Sequence, residues 1–183
     1  MQTFRLVPYP ADDIPKIQIV GEVSRIEDQL HIRYSVQGDA ENILLPAVTI
    51  PVRKGDLWRA SCFEFFLALP DRPEYWEFNM SPSSEWNVYL MDAYRQVNMR
   101  EETKIRDLPF KFRKEDGGYS LDISVDLRSI IQADQELQVG ITAIIQTKNG
   151  RESYWALAHP GIQADFHLRD SFIFGVRSLP TSA

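Results

Sequence analysis

Apolar and polar residues alternate with a period of two along most of this chain, and the helical period of about 3.6 is nearly absent. A strand sends successive side chains to opposite faces, so the pattern describes half-buried β-strands and excludes most helical folds. Ile17, Ile19, Gly21 and Val23 alternate with polar neighbours, and Leu30, Ile32, Tyr34 and Val36 do the same after a polar bend at 24–29. These two runs read as a hairpin. Further strands read at 61–69, 74–81 and 86–94, separated by turns that carry Pro and Ser. Asp116-Gly117-Gly118 joins 110–113 to 119–125, and Asn149-Gly150 joins 137–147 to 153–158. Asn-Gly suits a type I′ turn, whose central residues both need positive φ. A last short strand reads at 171–176, and 39–56, with Pro46 and Pro51, reads as a long connection. Only 126–132 reads as helix, one or two turns capped by Asp126. The expected fold is all-β, an antiparallel β-sandwich of roughly nine or ten strands with one short helix.

At 183 residues, 44% of them hydrophobic, the chain is long and apolar enough to form one core, which predicts a single domain over 1–183. The net charge of −6 argues against a nucleic-acid partner, which needs a basic face. The basic run at 100–114 is interrupted by Glu101, Glu102 and Asp107 and reads as a solvated face. Cys62 is the only cysteine, so no internal disulfide and no multi-cysteine metal site can form. No stretch approaches the roughly 18 apolar residues of a membrane helix, and the first fifteen residues do not read as a signal peptide. The expectation is a cytoplasmic protein with no membrane partner.

Alternation assigns the two faces of the central strands. Phe63, Phe65, Leu67 and Leu69 form one face, joined by Trp76, Phe78 and Met80 of the next strand. That is the core side. Cys62, Glu64, Phe66 and Ala68 take the opposite face, with Tyr75, Glu77, Asn79 and Ser81. In the third strand Trp86, Val88 and Leu90 make the better core set, which sends Asn87, Tyr89 and Met91 to the side of Glu64. Carboxylates, amides and aromatic rings on one face suit a polar ligand with an apolar underside, such as a sugar. The alternative is the wet side of a half-exposed antiparallel sheet. Two carboxylates on neighbouring strands also resemble the acid and nucleophile of a glycosidase, or a pair that binds hydroxyls or a cation. A second cluster follows the last long strand: His159, Asp165, His167 and Asp170. It could bind a metal, although its separations match no recognised ligand spacing, or it could pin a loop through side-chain hydrogen bonds. No nucleophile elbow, phosphate loop or dinucleotide fingerprint is present.

The string Leu57-Trp58-Arg59-Ala60-Ser61-Cys62-Phe63-Glu64-Phe65-Phe66-Leu67, then Glu77-Phe78-Asn79-Met80-Ser81-Pro82-Ser83-Ser84-Glu85-Trp86-Asn87-Val88-Tyr89 and Tyr94-Arg95, resembles the bacterial DOMON-like proteins related to family nine carbohydrate-binding modules. Tyr154-Trp155-Ala156-Leu157-Ala158-His159-Pro160, with Asp165-Phe166-His167 and Asp170-Ser171-Phe172, is similar to the group's second signature. Weaker similarity at Leu6-Val7-Pro8, Gly38-Asp39 and Leu45-Pro46 extends the match over almost the whole chain. It departs from the group at Gln163-Ala164, where Lys-Pro is usual. The resemblance implies a β-sandwich that binds a small molecule, either a sugar-like metabolite or haem. Haem-binding relatives use an axial Met with His or Lys; Met80, Met91 and Met99 are the methionines available near these strings. Sugar-binding relatives clamp the ring between two tryptophans, and Trp86 lies in a loop beside the polar face. The candidate ligand-binding set is therefore Glu64, Tyr75, Glu77, Asn79, Ser81, Trp86, Tyr89, Tyr94, Arg95, His159, Asp165 and His167. Three readings follow: a non-catalytic sugar-binding module, a haem protein, and a carbohydrate-active enzyme using Glu64 or Glu77 as acid or base.

Overall fold

A computed structural model describes residues 1–94 and 99–178. Its strands are β1 (Gln2–Arg5), β2 (Val7–Pro8), β3 (Ile17–Ile26), β4 (Gln29–Gly38), β5 (Cys62–Ala68), β6 (Tyr75–Met80) and β7 (Trp86–Met91), followed by β8 (Arg100–Glu101), β9 (Phe110–Glu115), β10 (Gly118–Asp126), β11 (Leu137–Gln146), β12 (Glu152–Ala156) and β13 (Phe174–Val176). All thirteen pair antiparallel, in two sheets. One sheet runs β1-β3-β4-β10-β9, and the other runs β2-β12-β11-β5-β6-β7-β8 with β13 also on β11. The chain is an antiparallel β-sandwich, as the alternation predicts. Ten of the strands are those read from the sequence. The other three, β1, β2 and β8, are two to four residues long, too short to show a period. Among the described residues no helix is long and apolar enough to cross a membrane.

The hairpins close where their turn residues allow. Gly117 and Gly150 take φ of 75° and 83°, which residues with a Cβ rarely adopt. The β3–β4 turn is tighter than the polar bend suggests, with Glu27 at a φ of 51° and β4 resuming at Gln29.

The helix expected at 126–132 does not form. Asp126 is still in β10, paired with Gln29, so the segment leaves a strand and has room for a single turn, in which Leu127 accepts the N–H groups of Ile130 and Ile131. Asp126 does cap that turn, accepting the Arg128 N–H at 3.0 Å. Beyond it, the Gln132 and Gln135 carbonyls accept the guanidinium of the buried Arg25, at 2.8 and 2.6 Å. Those bonds hold the segment as a turn.

The inter-sheet core takes the face assigned to it: Phe63, Phe65, Leu67, Leu69, Trp76, Phe78, Met80, Trp86 and Val88 lie in one apolar cluster with Ile19, Ile32, Tyr34, Ile123 and Ile141. Tyr34 crosses between the sheets and donates its hydroxyl to the Glu64 carbonyl at 2.6 Å. The opposite face of β5, β6 and β7 is not wet. Glu64 is 2% exposed, Glu77 5%, Asn79 0% and Asn87 0%, which excludes a half-exposed sheet. The physical reason is the apolar half of that face. Phe66, Ala68, Tyr75, Tyr89, Met91 and Ile144 form a second cluster, closed by Phe166 and Phe172 from the segment after β12. Phe172 stacks on Phe66 with centroids 5.3 Å apart, and Arg169 fastens the end of the cover to the Leu69 carbonyl and to Gln138.

Gly140 makes that closure possible. A Cβ there would lie 2.7 Å from Cδ1 of Phe172, so only a residue without one lets the ring sit on β11. Gly140→Ala is expected to cost about 1–3 kcal/mol through overpacking and to loosen the cover. Urea unfolding measures the cost, and faster proteolysis at 157–173 reports the loosening.

Candidate functional site

Register places the polar residues of the covered face. Glu64 on β5 lies directly opposite Thr142 of β11 on one side and Asn79 of β6 on the other. Glu77 sits two residues along β6, opposite Phe66, and is therefore the diagonal neighbour of Glu64 rather than its direct partner. Asn79 donates its amide to Glu77 Oε1 at 2.7 Å, and Thr142 donates to Glu64 Oε2 at 3.3 Å. Glu64 Oε1 is buried without a hydrogen-bond partner. Cys62 on the same face offers only a weak thiol donor.

These carboxyls open onto a cleft of about 280 Å³, lined also by Trp58, Met99, Ile144, Tyr154, Ala164, Asp165, Phe166 and His167. Sheet order explains its shape. Tyr154 on β12 stands two strands from Glu64 on one flank, and on the other Trp58 leans edge-on against Tyr89 of β7, with centroids 5.8 Å apart. Two aromatic side chains thus bracket two carboxyls. Burial pushes the Glu64 carboxyl well above the usual carboxylate range, and the nearby Glu77 charge adds to it. Burial raises Glu77 as well, offset by His167 and the Asn79 amide.

The covering segment is held by its own polar groups. Asp165 accepts the His167 N–H at 3.0 Å and the Tyr94 hydroxyl at 2.7 Å. His167 meets the Tyr75 hydroxyl through Nδ1 at 2.9 Å. Of the residues singled out from the sequence, Glu64, Glu77, Asp165 and His167 line the cleft. Tyr75, Asn79, Tyr89 and Tyr94 each touch one of its lining residues. Others lie elsewhere. Ser81 accepts from the Ser83 N–H and hydroxyl, organising the turn that leads into β7. His159 rests on the Val7 carbonyl and edge-on against Tyr9, where burial lowers its pKa. Trp86 points into the inter-sheet core with the Arg53 guanidinium 4.4 Å from its ring centroid, because its parity on β7 is that of Val88. Arg95 lies outside the described residues.

Trp58 and Tyr154 were missed as lining residues. Trp58 lies in a short 3-10 helix ahead of β5, Leu57–Arg59, outside any alternation that could assign its direction. Tyr154 was readable: it has the opposite parity to Trp155, which is buried in the core. Of the four tryptophans, Trp58 is the one on the cleft.

Among solved structures, a protein of Bacteroides uniformis provisionally described as carbohydrate-binding matches with a TM-score of 0.69 at 10% identity, over 93% of this chain and 83% of that one. A family 9 carbohydrate-binding module from Caldicellulosiruptor kristjanssonii, solved with glucose, matches with a TM-score of 0.61 at 10% identity, over 93% and 81%. The fold is shared with family 9 carbohydrate-binding modules. A module of the same family and organism solved with cellotriose matches at 0.58 with 8% identity, over 99% and 84%. At such identities the likeness is one of fold. Comparison with protein-family models and with curated proteins returns no match.

Haem does not fit this cleft. Met80 is buried between the sheets and Met91 lies in the cluster under the cover, which leaves Met99 as the methionine lining the cleft. The volume of about 280 Å³ falls below the range of roughly 300–1,000 Å³ that takes drug-sized ligands. Three carboxyls, of Glu64, Glu77 and Asp165, line the cleft where a porphyrin face needs an apolar wall.

Proposed function

We propose that this chain is a non-catalytic carbohydrate-binding module whose site is the cleft at Glu64 and Glu77. The observation that carries the reading is the bracket of Trp58 and Tyr154 around two buried carboxyls. A sugar ring presents C–H groups on its faces and hydroxyls on its rim, so it needs flat aromatic surface and polar acceptors in one small space. This cleft supplies both. The fold it shares with modules solved with glucose and cellotriose supports the same ligand class. In this reading the resemblance to DOMON-like proteins concerns the sugar-binding side of that group.

Titration calorimetry with glucose and cello-oligosaccharides tests the proposal. Trp58→Ala removes one aromatic wall and leaves both apolar clusters intact, since Trp58 only packs against the edge of the second. It is expected to weaken sugar binding by about 1–3 kcal/mol, the range for truncating a contact residue of this kind. Unchanged affinity in a variant that still binds would move the site away from this cleft.

A further inference from the structure

The cleft holds three carboxyl groups, from Glu64, Glu77 and Asp165, and no lysine or arginine among its described lining residues. Two of them have their own partners: Asp165 takes the His167 N–H and the Tyr94 hydroxyl, and Glu77 takes the Asn79 amide. Glu64 differs. It is 2% exposed, its Oε2 takes the Thr142 hydroxyl but its Oε1 has no hydrogen-bond partner, and its diagonal neighbour is another carboxyl. An uncompensated buried acid next to a second one is costly unless something pairs with it, and proteins keep such conflicts mainly at functional sites. A sugar hydroxyl would fill one hydrogen bond and leave the neighbouring carboxyls with no cation among the described lining residues. A metal ion needs more donors, and among the described residues no three His, Cys, Asp or Glu side chains gather to hold one. An organic ammonium group answers both needs, because its three donors reach an orphan acceptor while its charge faces both carboxyls. The aromatic bracket suits it too, since ring faces attract cations.

We propose that the cleft takes a ligand carrying a primary ammonium group, with an amino sugar as its class and Glu64 Oε1 as the acceptor of the ammonium. This rests on the sugar reading, which supplies the rest of the ligand. Binding of the cation draws Glu64 to its carboxylate form, so a proton leaves when the ligand enters. The groups that face the Glu64 carboxyl are Cys62 on its own strand, Glu77 from β6 and Thr142 from β11, while Tyr34 from the opposite sheet bonds only its backbone carbonyl; His167 from the cover faces Glu77. Burial favours the neutral acid at Glu64, and Glu77 reinforces it.

The test is calorimetry on the whole chain with glucosamine, glucose and ethylammonium chloride, in two buffers of different ionisation enthalpy. Glucosamine is expected to bind roughly tenfold or more tightly than glucose, as a charge-assisted bond to a buried partner requires, with proton release for glucosamine alone. Glu64→Gln should bring the ratio close to one, while Trp58→Ala should weaken both sugars alike. Equal affinities in the parent chain overturn the ammonium site and leave the sugar reading standing, and this comparison needs no variant. Binding of ethylammonium with neither sugar bound supports the ammonium site and overturns the sugar reading. If none of the three binds, both fall.

Discussion

Phe65→Ala and Phe78→Ala are each expected to lower the free energy of unfolding by about 3–5 kcal/mol. Both rings are 0% exposed, and register sets them directly opposite one another on β5 and β6. They stack with centroids 4.3 Å apart and 12° between planes, a geometry that adds about 0.5–1.5 kcal/mol beyond the area buried. Collapse around the missing ring is restricted, because β5 is hydrogen-bonded on both sides, to β11 and to β6. The double variant should cost less than the sum of the two, since each single change already breaks the stack. Lys111→Ala on the exposed side of β9 stays within about 0.5 kcal/mol and serves as the comparison. Urea unfolding measures all four. A loss below about 1 kcal/mol at either phenylalanine would invert the two faces of the sheet, and Glu64 and Glu77 would then lie between the sheets.

That dependence shows what was legible in the sequence. Alternation alone placed Phe63, Phe65, Trp76 and Phe78 on one side and Glu64, Glu77 and Asn79 on the other, because parity is a local property and each strand carries its own. It could not show that the second side is covered. The rings that do so, Phe166 and Phe172, come about a hundred residues after Phe66 and from a segment with no period. Phe66 and Tyr75 were the available hint, since an exposed face does not need them. Trp58 escaped for a similar reason: a residue in an irregular segment points where packing sends it, and its neighbour Tyr89 is three strands further along the chain. Trp86 was drawn into the site by the expectation of two clamping tryptophans, although its own parity put it with Val88 in the core. The expected helix at 126–132 had a cap and apolar residues, but Arg25, distant in sequence, claims the carbonyls that follow its first turn. Local pattern fixed the faces, and long-range contacts fixed the cleft.

The buried acid at Glu64 makes stability depend on pH in a direction that can be worked out. Its pKa in the folded chain lies well above the ordinary value near 4.3, chiefly through burial and then through Glu77. Between those two values the folded chain holds a proton that the unfolded chain has released. Stability therefore falls as pH rises, being full below the unfolded pKa and lost progressively as pH climbs through the folded one. The steepest slope for one proton is about 1.4 kcal/mol per pH unit. Glu77, also raised by burial, contributes in the same direction, more weakly because His167 and Asn79 favour its charged form. Other groups slope the opposite way: Glu85, held below its usual range by Lys54, and His159, lowered by burial, both cost stability as pH falls. The difference between the parent and Glu64→Gln removes these, since neither Glu85 nor His159 lines the cleft. Glutamine keeps an acceptor for Thr142 and cannot ionise. The variant should match the parent or fall slightly below it at pH 5 and gain on it between pH 5 and pH 8, since only the parent loses this proton's stability as pH rises. Urea unfolding of both chains at four pH values between these limits measures that gain. A constant difference would mean that Glu64 is already a carboxylate in the folded chain, stabilised by something other than the Thr142 hydroxyl.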